Sequence, residues 1–213
     1  MTTNTINKLE DLSPKHKSFG DNILWSYACW QMFWATYTWG QESFTRKSYM
    51  IRAKAFKAYK EGKWHIHDLF ANNLAKIQSG DYCWYCGKHL PKDKLTKDHV
   101  FPRVHGGEDS IDNIIFVCKS CNSSKGKTDL VEWFFKRGEM PHWYLIGHYL
   151  KQVYLYAVEN ELMDKDFEEA CKQDLPFNPY SMLLFQDLSY LGMYLKVLHQ
   201  NGEKLIDIMP TEK

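Results

Sequence analysis

Four of the chain's six cysteines fall into two C-x-x-C pairs, Cys83 with Cys86 in "CWYC" and Cys118 with Cys121 in "CKSC", and an Asp98-His99 dipeptide stands between them. A C-x-x-C turn aims two sulfurs at one point, so two such turns at this separation compose a tetrahedral thiolate site for Zn²⁺. The other uses of the spacing are a redox-active dithiol or surface disulfides, and no thioredoxin-like strand and helix pattern accompanies it here. Cys29 and Cys171 stand singly among apolar or helical neighbours. The dipeptide offers a different chemistry. An imidazole can take a proton from water near neutral pH, and a carboxylate beside it can hold a hard cation.

The chain around these residues reads as a strand, a loop, a second strand and a helix. "LTKDHV" (95–100) is strand-compatible and ends at Pro102; "VHGGEDSIDN" is rich in turn formers, and "IIFV" (114–117) is a short apolar strand. After Cys121, "NSSKGK" predicts a short helical turn. Asp129, followed three residues later by Glu132, predicts a capped second helical piece, "LVEWFFKR", which Gly138 ends.

C-x-x-C, then "DHVFP", then "GG", then "DN" before an apolar strand, then "CKSCNSSK" together resemble the HNH nuclease family in its four-cysteine form. The resemblance spans about residues 81 to 137 and implies a ββα-metal core stapled by a zinc site at Cys83, Cys86, Cys118 and Cys121. The fold class expected is therefore α+β, with mainly helical extensions at residues 1–80 and 138–213. The family's first position falls on His99, the general base; its middle Asn falls on Asn113, which would tie the loop and hold the His99 ring in register. Its last metal-binding position falls on Asn122, where the pattern's letter is His. Asp98 and Asn122 would then supply oxygen ligands to a single catalytic Mg²⁺ or Mn²⁺ ion. Adjacent residues on a regular strand point to opposite faces, so an irregular strand end is expected to bring Asp98 and His99 to one phosphate. His105, in the same loop, is the alternative base. His65 and His67 form an H-x-H pair that would diverge on a helix, and they read as structural or surface residues.

Charge is unevenly spread. Residues 1–127 carry 19 Lys and Arg against 12 Asp and Glu, whereas residues 128–213 carry 8 against 14, so a near-neutral chain hides a basic half suited to a polyanion. Arg103, Lys119, Lys125 and Lys127 lie close to the proposed site and are candidates for flanking phosphate contacts. Arg46, Lys47, Lys54, Lys57 and Lys60 fall on one face of a predicted helix, opposite Ile51, Ala55, Ala58 and Tyr59. That face is either a DNA-binding surface or a solvated one.

The uncharged segment "NILWSYACWQMFWATYTW" (22–39) is near the shortest length that spans a bilayer, but its Gln, Ser, Thr, Trp and Tyr content fits a buried helix better, with Tyr27, Trp30, Trp34 and Tyr37 at helical spacing. No membrane contact and a cytoplasmic, reducing compartment are expected, since no secretory signal pattern opens the sequence. "WYLIGHYLKQVYLYAVENEL" and "YSMLLFQDLSYLGMYLKVL" predict two helical runs that pack with the aromatic N-terminal helix. Their apolar surface also suits a protein partner or self-association. The functional expectation is hydrolysis of DNA in defence against foreign DNA. A non-catalytic zinc-dependent nucleic-acid-binding module and an RNA-directed nuclease are the alternatives.

The charge pattern generates a test. Reversing Lys54 and Lys57 to Glu is expected to weaken DNA binding, measured by fluorescence anisotropy, and to flatten its dependence on salt. Unchanged affinity would make that face a solvated one.

Overall fold

The computed structural model describes residues 8–66 and 81–200, so His67 lies outside the described residues. Helix α1 (Phe19–Thr38) starts where the Ser18 hydroxyl accepts the Asp21 backbone N–H. Ile23, Tyr27, Trp30 and Phe33 are wholly buried. The lack of charge along this segment has a packing cause, because helix α2 (Arg46–Lys60) covers one side and the C-terminal elements cover another. Among the described residues no helix is long and apolar enough to cross a membrane.

On α2, Ala55, Ala58 and Tyr59 are buried against α1, with the Tyr27 and Tyr59 rings edge to face at 5.6 Å. Arg46, Lys47, Lys54, Lys57 and Lys60 are exposed, as the amphipathic pattern predicts. Several of these cations have partners: Lys60 pairs with Asp21 at 2.8 Å, Lys57 with Glu61 at 3.7 Å, and the Lys47 ammonium lies 3.9 Å from the Trp39 ring centre.

A two-stranded antiparallel sheet, β1 (Leu95–His99) with β2 (Ile114–Cys118), forms the middle of the chain. Its register sets Leu95 opposite Cys118, Asp98 opposite Ile115 and His99 opposite Ile114. Ile115 and Val117 are buried, giving β2 the alternation of a strand with one face on a core. Helix α3 (Lys119–Lys125) follows without a break, and α4 (Leu130–Lys136) begins at the predicted cap, Asp129. This is the strand, loop, strand, helix order expected of the α+β core.

The C-terminal part contributes α5 (Trp143–Glu159), α6 (Phe167–Ala170), a 3₁₀ helix (Pro179–Gln186) and α7 (Leu188–Gln200). The second of the two predicted C-terminal runs is therefore two helices. Asp187 is extended and its carboxylate accepts the Tyr190 N–H at 2.8 Å, so it ends one helix and caps the next. These elements meet α1 as expected: Trp34 stacks on Trp143 at 3.8 Å, Phe33 on Tyr194 at 5.0 Å, and the Gln186 amide donates to the Ser26 hydroxyl at 2.9 Å.

Two buried polar ties join this helical layer to α4 and to the loop between the strands. The Asp129 carboxylate accepts from Val131 N and Glu132 N in its own helix, from the Tyr149 hydroxyl (2.7 Å) on α5, from Asn178 N (3.3 Å) just before the 3₁₀ helix and from the Ser181 hydroxyl (2.7 Å) within it. Burial pushes its carboxyl above the ordinary range, against the pull of these donors. The second tie is His148 of α5, whose Nε2 donates to the Asp112 carbonyl oxygen at 2.6 Å.

Burial pushes the His148 imidazole down to about 4, against the pull of that carbonyl. The folded protein thus holds the ring neutral, whereas the unfolded chain takes up a proton near the ordinary 6.5. Its contribution is complete above pH 6.5 and is lost as pH falls toward 4, by at most about 3 kcal/mol. His148→Gln keeps an N–H donor and removes the titration, so a series of thermal melts from pH 7 to pH 4 should show a shallower fall in Tm for the variant. Equal slopes would remove His148 from the account.

Candidate active site

The site is built from the cysteine turns outward. The Sγ atoms of Cys83, Cys86, Cys118 and Cys121 all lie within 4.8 Å of one another, and those of Cys86 and Cys118 are 4.0 Å apart. A tetrahedron of Zn–S bonds has sulfur–sulfur edges of about 3.8 Å, so the cluster is compatible with a zinc ion. Residues 81–90 form the first turn: Gly87 N donates to the Cys83 carbonyl, Cys83 N to the Lys88 carbonyl, and Trp84 N attaches the turn to β2 at the Phe116 carbonyl. The second turn is the start of α3 itself, where the Cys118 sulfur accepts the Cys121 N–H at 3.5 Å.

Each turn also delivers a side chain to Asp98. From the first, the Tyr85 hydroxyl donates to Asp98 Oδ2 at 2.8 Å; from the end of α3, the Lys125 ammonium lies 3.3 Å from the same oxygen and donates to the His99 carbonyl at 2.9 Å. Asp98 Oδ1 accepts the His99 N–H at 2.8 Å. Asp98 is 7% exposed and Lys125 1%. The expectation that Lys125 contacts a flanking phosphate is therefore corrected. Its ammonium faces inward because two acceptors of the Asp98-His99 dipeptide hold it there, and burial pushes its pKa below the ordinary value while Asp98 pulls it back.

β1 stays paired through His99, opposite Ile114, so the strand end is not irregular where expected. The His99 Nε2 lies 3.1 Å from Asp109 Oδ1. A carboxylate only accepts, so in the neutral imidazole this contact places the ring proton on Nε2 and leaves Nδ1 with its lone pair. Asp109 has no assigned role in the sequence pattern. Its only signal there is an acidic residue ten positions after His99, in a loop that turns back.

That loop explains the Pro and Gly-Gly residues. The Pro102 carbonyl accepts both His105 N and Gly107 N; Gly106 closes the turn at φ +89°, in the left-handed region. A Cβ on Gly107 would sit 1.9 Å from the Phe101 carbonyl oxygen, so only glycine fits. Asn113 is 3% exposed, and its side chain takes Phe101 N at 2.7 Å while giving its amide hydrogens to the Phe101 carbonyl (3.0 Å) and the Glu108 carbonyl (2.8 Å). One amide thus closes both ends of the loop that carries Asp109.

Asn122 is half-buried on α3, and its amide nitrogen donates to Thr96 Oγ1 at 3.1 Å and to the Lys97 carbonyl at 2.9 Å. With both N–H groups used, the oxygen is the end left to act as an acceptor. Asp98 and Asn122 are the oxygen donors that a Mg²⁺-like ion prefers, and Asp98 Oδ1 accepts only one protein N–H; the donor set fits such an ion. Arg103, Lys119 and Lys127 are exposed, and so is His105.

Residues 83–131 match the family model described as HNH endonuclease. Among curated proteins, a CRISPR-associated endonuclease Cas9 from Corynebacterium diphtheriae is 36% identical over 87 residues, 38% of this chain and 8% of that protein. Another, from Actinomyces naeslundii, is 32% identical over 84 residues, 39% of this chain and 7% of its own length. The aligned part thus spans less than a tenth of either relative. No solved structure matches.

The purified protein should carry about one zinc per chain, and Cys118→Ser should lose that metal. Thiolate ligation contributes on the order of 10 kcal/mol of folding free energy in small zinc-binding units, so the variant's melting temperature, followed with zinc content by atomic emission, should drop sharply. A zinc-free variant that melts like the wild type would show that the cluster is no staple.

Proposed function

We propose that the protein, which carries an HNH endonuclease segment at residues 83–131, is a metal-dependent endonuclease that hydrolyses DNA phosphodiester bonds. The observation that carries the proposal is His99 at the end of β1, with Nε2 engaged by Asp109 and Nδ1 left to take a proton from an attacking water. Asn113 holds the loop that presents Asp109, so it acts on His99 at one remove. Asp98 and Asn122 would hold a Mg²⁺ or Mn²⁺ ion. Such an ion, when bound, polarises a phosphoryl oxygen and neutralises charge on the leaving oxygen. Arg103, Lys119 and Lys127, all exposed, would contact flanking phosphates, with the basic face of α2 as a further surface. The likeness to CRISPR-associated endonucleases supports a place in defence against foreign DNA.

A second reading, a zinc-dependent nucleic-acid-binding module without catalysis, is favoured by one observation. Lys125 already neutralises Asp98 in a buried ion pair, as a purely architectural carboxylate would require.

Cleavage decides between them. Zinc-loaded protein incubated with plasmid, single-stranded DNA and RNA, with Mg²⁺, Mn²⁺ or EDTA, should cut DNA only when a divalent ion is present. His99→Ala should keep zinc content, Tm and DNA affinity while cleavage falls by about two to four orders of magnitude, the usual worth of a positioned base. Wild-type cleavage by His99→Ala, with contaminating nucleases excluded, would make His105 the next base to test. No cleavage by the wild type under any condition would favour the binding module, and preference for RNA would change the substrate.

A further inference from the structure

We propose that Lys125 and Tyr85 are positioning residues that make Asp98 a one-oxygen ligand, and that the charge of Lys125 makes it hold its ion loosely. The inference rests on the nuclease reading above and assigns these two residues a part in it.

An ammonium has three N–H donors, and a lysine taken wholly out of water must spend them well. Lys125 spends two on a single dipeptide: the Asp98 carboxylate, 3.3 Å away, and the His99 carbonyl at 2.9 Å. It thereby fixes the side chain of one candidate catalytic residue and the backbone of the other. Tyr85 adds its hydroxyl to the same Oδ2, at 2.8 Å. Oδ2 is then saturated by two donors, while Oδ1 carries a single bond from His99 N. The carboxylate can present only Oδ1 to a cation, and it does so beside a fixed positive charge. Two effects of opposite sign follow. The two donors orient the carboxylate, which favours a productive geometry; the ammonium repels a divalent ion, which weakens its binding.

Both donors are rooted in the cysteine turns. Tyr85 lies between Cys83 and Cys86, and Lys125 ends the helix that opens at Cys118 and Cys121. A distortion of either turn therefore reaches Asp98 through one hydrogen-bonded side chain. The thiolate cluster and the proposed ion site, which share no ligand, are mechanically connected.

The test separates binding from turnover. Mn²⁺ affinity of the zinc-loaded protein, without nucleic acid, is measured by calorimetry, and cleavage is measured at saturating Mn²⁺. Lys125→Met removes the charge but keeps most of the volume. Mn²⁺ should bind about tenfold tighter, while cleavage at saturation falls by about ten- to a hundredfold, the usual range for residues that support a metal ligand. A purely architectural lysine would not move the two quantities in opposite directions; unchanged or weaker Mn²⁺ binding by folded Lys125→Met would overturn the proposal. Tyr85→Phe keeps the ring and removes one donor, and should weaken Mn²⁺ binding and slow cleavage with zinc content intact. If Lys125→Met does not fold, wild-type Mn²⁺ affinity and wild-type rate in Tyr85→Phe overturn it instead. A wild type that binds Mn²⁺ but cuts neither DNA nor RNA would sink the nuclease reading, and the binding measurements would still judge the role of Lys125.

Discussion

A hairpin of two five-residue strands cannot bury enough surface to stand alone in water, and every neighbouring element answers that constraint. The cysteine turns flank β2, one bonded to its middle at Phe116 and one continuing from its last residue into α3. Beyond β1, Phe101 packs edge to face on Tyr149 at 5.8 Å and against Phe177 at 4.9 Å, both from the C-terminal part. The helical layer is thus a wall of the core as much as an addition to it. Its inner member, α1, carries no charge beyond Asp21 in its first turn because other helices cover it.

Polar atoms make this arrangement specific. Apolar packing is tolerant of small shifts, whereas a buried carboxylate with five donors from three elements is satisfied in one geometry. Asp129 sets where α4 stands against α5 and the 3₁₀ helix. Asp98, with Tyr85, Lys125 and the His99 N–H, sets the end of β1 against both cysteine turns. His148 fixes the far end of the loop at Asp112. The dipeptide Asp98-His99 is therefore held from the sheet, from the cysteine turns and, through the loop, from the helical layer.

Much of this was legible in the sequence, because local patterns carried it. Two C-x-x-C spacings foretold the sulfur cluster, β-branched residues foretold β2, and the apolar stripe of α2 foretold Ala55, Ala58 and Tyr59 facing inward. What could not be read depends on partners far along the chain. Lys125 sits in a polar run, "NSSKGK", that looks solvated; it is buried because Asp98 and the His99 carbonyl, 26 residues before it in the second case, receive its ammonium. Asp109 looks like one more loop acid until the loop folds back on His99. Asp187 interrupts an apolar run whose spacing alone continues straight through, since one carboxylate accepting one N–H is enough to restart a helix there.

The Asp129 tie has a consequence for how the protein is made. Residues 83–131, with both cysteine pairs and the Asp-His dipeptide, are synthesised before Tyr149, Asn178 and Ser181. The Ser181 hydroxyl follows Asp129 by 52 residues, roughly 3 to 10 s of synthesis. During that interval the carboxylate that anchors α4 has only its own helix to bind. Completion of this core is thus timed by translation: both cysteine pairs are in the chain early, and the hairpin receives its final walls only when the last third of the chain arrives.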